Sequence, residues 1–174
     1  MRDGDQVTGR DEAGDGVVPP GIDPAQPSIA RVYDYFLGGK DNFAVDRAVA
    51  EEALRIAPDA REAGRANRAF LRRAVEHMVT EAGIRQFLAI VHFHNPGAEH
   101  PEASGIAEEA ERSFNQNLGT GRWRSREEIR SYFGDMELVE PGLVPPADWR
   151  AEPEDLIRQD LTRYNVLAGL GRKP

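Results

Sequence analysis

Apolar positions recur with helical spacing through the first half of the chain and with strand spacing in short stretches of the second. Ile29, Val32, Tyr33, Phe36 and Leu37 fall at i, i+3, i+4, i+7 and i+8, one apolar face of a short helix. Ser28 stands before this run as a candidate N-cap, and Gly38-Gly39 stops it. Lys40-Asp41-Asn42 is a tight polar connection in which Asp41 or Asn42 can cap the next helix. That helix is predicted from about Phe43 to Ile56, with Val45, Val49, Ala53 and Ile56 inward, and Pro58 both ends it and can open a third. The third helix, about Asp59 to Ala82, sets Ala63, Phe70, Ala74 and Met78 on one side. Arg61, Arg65, Arg68 and Arg72 share the opposite side; a solvated face explains such a stripe, an anion-binding or partner face being the sharper alternative.

The pattern changes at Gly83 to Gly97, GIRQFLAIVHFHNPG, which holds the long unbroken apolar run Phe87 to Val91. Bounded by Gly83 and Asn95-Pro96-Gly97, the run predicts a strand buried on both faces and central in a parallel or mixed sheet. Ligands of open α/β sheets gather at the carboxyl ends of strands, which here is Val91-His92-Phe93-His94-Asn95. A helix is predicted from about Pro101 to Glu111, then a loop from Asn115 to Gly121. Ser125 and Glu128 form a capping box that opens a short helix with Ile129, Tyr132 and Phe133 on its apolar side. A short strand at Met136 to Glu140, an irregular proline-rich connection from Pro141 to Asp160 and a final strand at Tyr164 to Arg172 complete the chain. The fold class is α/β: an N-terminal helical segment plus a small sheet of about three strands.

Composition narrows the picture. Residues 1–27 are rich in Gly, Asp and Pro and cannot bury enough apolar surface to offset chain entropy, so a disordered tail is expected there. Residues 28–174 then form one domain. The net charge of −8 argues against a nucleic-acid partner held by overall positive charge. Cysteine is absent, which removes disulfides, thiolate metal sites and cysteine nucleophiles together. The N-terminus has no apolar core of the signal-peptide kind, and no stretch reaches the length of a membrane span, so a cytoplasmic protein with no membrane partner is expected.

The segment Ala30 to Phe43, ARVYDYFLGGKDNF, resembles the N-terminal signature of an actinobacterial family of S-adenosylmethionine-dependent methyltransferases with a Rossmann-like fold. Further blocks are similar to the same family in the same order: GRANRAFLRRAV at Gly64 to Val75 with GIRQFL at Gly83 to Leu88, RWRSREEIRSYFGDMELVEPGLV at Arg122 to Val144, and AGLGRKP at Ala168 to Pro174. The resemblance implies a Rossmann-like sheet, S-adenosylmethionine as cofactor and a methyl acceptor that the sequence does not name. It also implies that Tyr33, Asp34, Gly38, Gly39, Lys40, Asp41 and Asn42 belong to the segment closing over the cofactor. Helix stop, turn and helix start explain the same residues without a ligand. If a ligand site survives, Tyr33 and Lys40 are expected to contribute to it.

One departure from the family pattern bears on function. The first strand of such enzymes runs into an acidic residue and a glycine-rich turn of the Asp-x-Gly-x-Gly type, and a carboxylate after the second strand holds the ribose. Here Leu88 is followed by AIVHFHNPG, which looks like a later strand of the family joined to the first. An internal deletion is the expectation, and it puts catalytic competence in question, since the protein's part in methyl transfer is mainly binding and alignment. The rival reading is a non-catalytic remnant or protein-interaction module. His92 and His94, two apart on a strand with Glu99 and His100 nearby, allow a metal site to be drawn; the third ligand is unsecured, and no metal is expected. His77 is expected at the core or its edge, and Trp123 and Trp149 as loop residues packed on the body. A strand suited to burial on both faces but partnered on one side also predicts self-association into a homo-oligomer.

Overall fold

The computed structural model describes residues 18, 20–80, 86–151 and 162–174. In chain order it contains α1 (Ile29–Phe36), α2 (Ala44–Ile56), α3 (Ala60–Thr80), β1 (Phe87–Phe93), α4 (Pro101–Asn117), α5 (Arg126–Ser131), β2 (Glu137–Leu138) and β3 (Val166–Arg172). The architecture is the expected α/β one, with three helices ahead of a three-stranded sheet. Pro20 to Gln26 is exposed and carries neither helix nor strand, while most of the expected disordered tail lies outside the described residues. So do residues 81–85 before β1 and residues 152–161 of the long connection. Helix α4 continues past Glu111 to Asn117, because Phe114 on its last turns packs against Phe93 and Trp123.

The sheet corrects the expectation for the apolar run. It is antiparallel, in the order β1–β3–β2, so β1 is an edge strand and β3 the central one. Phe87 pairs with Arg172 and Phe93 with Val166 at the two ends of the β1–β3 ladder, and Glu137 and Leu138 of β2 pair with Arg172 and Gly171. Val166 to Gly171 are all buried, whereas Leu88, Val91 and Phe93 are 36%, 38% and 39% exposed. The physical reason lies in the small residues of β3. A Cβ on Gly171 would lie 2.7 Å from Phe133 Cδ1, so only glycine lets that ring settle on the strand. Side chains then alternate along β3. Ala168 and Leu170 join Phe70 and Ala74 of α3 and Trp149 on one face, while Leu167 joins Ile129, Phe133 and Leu143 on the other. An apolar run can mark either strand; burial is decided by what packs on it.

The helical half is tied together by one buried carboxylate. Asp46, 0% exposed, accepts hydrogen bonds from the backbone N–H of Ser28 at 2.8 Å, the backbone N–H of Phe43 at 2.8 Å and Arg31 Nε at 2.6 Å. It therefore serves the starts of α1 and α2 together. The expected cap from Asp41 or Asn42 is replaced by this one, with Phe43 at the N-cap position of α2 and Asp46 reaching back to it. Burial acts to raise the Asp46 carboxyl pKa, and the hydrogen bonds from Arg31, Phe43 and Ser28 outweigh it, holding the group below its usual value. The Ser125–Glu128 capping box forms as expected, with Ser125 Oγ accepting from the Glu128 N–H at 3.2 Å and the Glu128 carboxylate accepting from the Ser125 N–H at 2.9 Å.

The connection after β2 carries part of the core. Arg73, 5% exposed on the inner side of α3, donates from Nε to the Trp149 carbonyl at 2.6 Å and from Nη2 to the Pro146 carbonyl at 2.7 Å. Trp149 is 0% exposed and meets Phe70 edge to face at 5.2 Å between ring centroids. His77 sits at the edge of this cluster, 2.8 Å from Arg150 Nη1 and flanked by Phe87 and Trp149. The loop tryptophans and His77 thus take the packing roles expected of them.

Candidate ligand site

Where the helical half meets the sheet, the packing leaves a cavity of about 200 Å³. Its roof is built by α1, α2 and α3, through Val32, Tyr33, Phe36, Val49, Ala53 and Ala63 among others. Its far wall is α4, with Ile106, Ala107 and Ala110, and its floor includes Phe93, Thr162, Asn165 and Val166. Small residues line the cavity where α2 runs into α3, at Ala53, Ala57, Ala60 and Ala63, and leave space towards α4. Phe93 ends β1 and Val166 starts the antiparallel β3, so the cavity stands at the carboxyl end of the first strand and the amino end of the second. None of the lining residues is charged.

An aromatic cluster closes one side. Phe93 and Trp123 stack with centroids 4.2 Å apart and rings 12° from parallel, and Phe114 meets both edge-on. Trp123 is held there by the Glu111 carboxylate, which accepts its backbone N–H at 2.7 Å, and by the Arg124 N–H, which donates to the Phe93 carbonyl at 3.1 Å. Asn165 is 4% exposed; its Nδ2 donates to the Ala103 carbonyl at 2.7 Å, while its Oδ1 is buried without a hydrogen-bond donor among the described residues. Asn67 Oδ1 on α3 is buried and unpaired in the same way.

The signature residues divide between the cavity and the turn beside it. Tyr33 lines the cavity, donates from its hydroxyl to the Gly64 carbonyl at 3.0 Å, and carries the Arg68 guanidinium 5.8 Å from its ring centre. Asp34 faces the turn, its carboxylate accepting from the Asp41 N–H and from Asn42 Nδ2, both at 2.9 Å. A Cβ on Gly39 would lie 2.0 Å from Asp34 Oδ1, and Gly38 has φ of +79°, so each glycine answers a requirement of the turn itself. Asn42 also donates to the Gly39 carbonyl and accepts from Arg47. Lys40 is exposed and is not part of the cavity wall. The structure therefore does not bring Tyr33 and Lys40 to one site.

The histidines make contacts of other kinds. His94 is 4% exposed, with Nδ1 at 2.6 Å from the Tyr164 carbonyl. Burial is the first cause that holds its pKa below the ordinary histidine value, ahead of the opposing hydrogen bond to Tyr164. His92 Nδ1 contacts the Phe93 carbonyl and its ring leans on Tyr132, while His100 stacks on Tyr164 at 3.6 Å. Among the described residues no three metal-ligating groups converge. The arginine stripe of α3 is a paired surface. Arg65 meets Glu62 at 3.3 Å and Arg72 meets Glu76 at 3.0 Å, while Arg61 lies over the Tyr35 ring. Sequence reasoning missed Asn67, Asn165 and the alanine-lined gap, since isolated amides and alanines carry no motif. The aromatic residues bounding that gap were the available signal.

Comparison with known proteins adds an independent line. The model of a family described as S-adenosyl methyltransferase matches residues 16–92 and 89–174. A candidate methyltransferase of known structure from Thermobifida fusca superposes with a TM-score of 0.78 at 26% identity, over 89% of this chain and 98% of that one. A DUF574 family protein from Streptomyces avermitilis superposes with a TM-score of 0.76 at 17% identity, over 86% of this chain and 98% of that one, a likeness of fold. No curated protein matches the chain. No helix among the described residues is long and apolar enough to cross a membrane.

Proposed function

The chain belongs to the S-adenosyl methyltransferase family, and from that premise we propose that it is an internally shortened, non-catalytic member that has lost its hold on the cofactor. The carrying observation is β1. It runs unbroken from Phe87 to Phe93 and pairs with β3 along that whole length, through the stretch where the family pattern requires an acidic residue and a glycine-rich turn. The two family-matched segments overlap at residues 89–92, inside this strand, which supports a junction there. The cavity does not fit the cofactor either. S-adenosylmethionine presents a sulfonium, an amino-acid zwitterion and ribose hydroxyls, and a charged group moved into an uncharged wall loses hydration without replacement. At about 200 Å³ the space is also below the roughly 300–1,000 Å³ of sites for ligands of that size. In this reading Asp34, Gly38, Gly39, Lys40, Asp41 and Asn42 serve the α1–α2 turn, and Tyr33 serves the cavity roof.

A melting experiment tests the loss of the cofactor. A ligand at a hundred times its Kd adds about 2.7 kcal/mol to folding stability. S-adenosylmethionine at millimolar concentration is expected to leave the melting temperature unchanged. A rise of several degrees that saturates with concentration would restore the enzyme reading.

An interaction role on the same scaffold is favoured by a specific surface. Leu71, Val75 and Val79 of α3 stand at i, i+4 and i+8 and are 50%, 45% and 74% exposed. Phe70 and Ala74 beside them are buried, so the exposed stripe lies one sequence position on, about 100° round the helix from that inward side. Arg124 bridges the outer edge of β1 at its carboxyl end, and ahead of Phe93 that edge is unpaired by any strand among the described residues, so we infer a second copy as the partner, joined edge to edge about a two-fold axis. Light scattering over a dilution series should give a dimer mass that falls on dilution, and Val75→Glu should give a monomer. A monomeric mass at every concentration would remove this reading.

A further inference from the structure

We propose that the cavity under α1–α3 binds a small aromatic carboxylate, with its ring inside and its charge at the mouth on Arg68. This goes beyond the shortened-family reading and stands whether or not the cofactor binds. Three observations carry it. The first is an apolar cavity that is partly open. Its volume of about 200 Å³ exceeds the ~150 Å³ apolar cavity that takes up benzene. No lining residue is charged, while Ile29 and Phe93 in the wall are 50% and 39% exposed. An apolar body is covered inside, and a polar end at the opening keeps its water.

The second observation is the aromatic wall. Phe93 and Trp123 stack on each other at 4.2 Å, Phe114 meets both edge-on, and Tyr33 adds a fourth ring from the roof. Rings gain from offset-stacked and edge-to-face neighbours beyond the area they bury. A flat aromatic body is therefore favoured over an aliphatic one of equal volume.

The third is Arg68, the exception in the paired stripe of α3. Arg61, Arg65 and Arg72 each meet a carboxylate, on Glu51, Glu62 and Glu76. Arg68 is exposed and has no ion pair among the described residues. Its neighbours three and four residues away are Gly64, Arg65, Leu71 and Arg72, none of them acidic. It stands beside the cavity: Asn67 and Tyr33 both line it, and the Arg68 guanidinium lies 5.8 Å from the Tyr33 ring centre. A guanidinium can rest its face on an aromatic ring and still offer its N–H fork to a carboxylate. One fork suits one negative charge. A dianionic phosphate asks for a second cation, and no lining residue supplies one. The carboxylate stays at the solvent edge, so it avoids the desolvation that a sulfonium inside the uncharged wall would meet.

The test uses the full chain at neutral pH and three probes: 2-naphthoate, its neutral analogue naphthalene-2-carboxamide, and octanoate. Calorimetry is expected to show 2-naphthoate binding one to one, the carboxamide about tenfold more weakly for want of the charge-assisted hydrogen bond, and octanoate more weakly than 2-naphthoate. Arg68→Gln, a change at an exposed position, should weaken 2-naphthoate about tenfold and leave the carboxamide unchanged. Arg65→Gln removes one charge from the same stripe and should alter neither. Ala110→Phe on α4 and Ala53→Phe on α2 fill the cavity from opposite sides, and each variant that keeps the native circular dichroism should lose 2-naphthoate. Absence of 2-naphthoate binding, a carboxamide or octanoate that binds as tightly, an unchanged affinity in Arg68→Gln, an equal loss in Arg65→Gln, or binding that survives filling in a folded variant would each overturn the proposal.

Discussion

Trp149→Ala is expected to lower the stability of the chain by about 3–5 kcal/mol, the range for emptying a buried aromatic site. The residue is 0% exposed and meets Phe70 edge to face, in the cluster that covers Ala168 and Leu170 on the central strand. Removing the indole takes contact surface from α3, β3 and the long connection at once. Arg73, which donates to the Trp149 carbonyl, stays buried beside the hole, so collapse of the site is resisted. Against a total stability of about 5–15 kcal/mol for an ordinary domain, this is a large fraction. Trp149→Phe should be much milder, because Trp149 Nε1 is buried without a partner among the described residues and phenylalanine removes that unsatisfied donor. Urea midpoints of the two variants measure the difference; equal losses would mean that the indole volume is not what holds the three elements together.

Asp46→Ala is expected to cost about 3 kcal/mol, since it strips three donors of one buried acceptor. Two of those donors open α1 and α2, so loss of helical signal should accompany the loss of stability. The dependence on pH has a definite sign. The folded carboxyl sits below its unfolded value of about 3.9. Its contribution is therefore complete above that unfolded value and is lost as pH falls through the lower folded one. The stability gap between the native chain and Asp46→Asn should be flat from about pH 5 upward and close below about pH 4. A gap that persists unchanged to pH 2 would show that charge at Asp46 contributes nothing.

The helices were legible because their signals are local. The run from Ile29 to Leu37, the Gly38-Gly39 stop and the Ser125–Glu128 box are decided within a few residues, and the structure has them where expected. Sheet order was not legible in the same way. Phe87 to Val91 is more apolar than Val166 to Gly171, yet the second is the central strand, because its glycines let the Phe133 ring lie on the backbone. That is a property of Phe133 as much as of the strand. Arg73 shows the same limit, since its burial depends on carbonyls at Pro146 and Trp149, far along the chain. The site was half legible: the carboxyl end of β1 and Tyr33 were in view, whereas the cavity arises from alanines on separate helices meeting α4.

The central claim is that this member of the family keeps the fold's late strand and helical cover without a cofactor cradle. Titration calorimetry of the full chain with S-adenosylmethionine tests it most directly. The expected result is no one-to-one isotherm in the micromolar range that enzyme sites use, in a preparation shown to be folded by its cooperative melt. A saturable one-to-one isotherm with micromolar Kd would contradict the claim and mean that the chain holds the cofactor without the glycine turn.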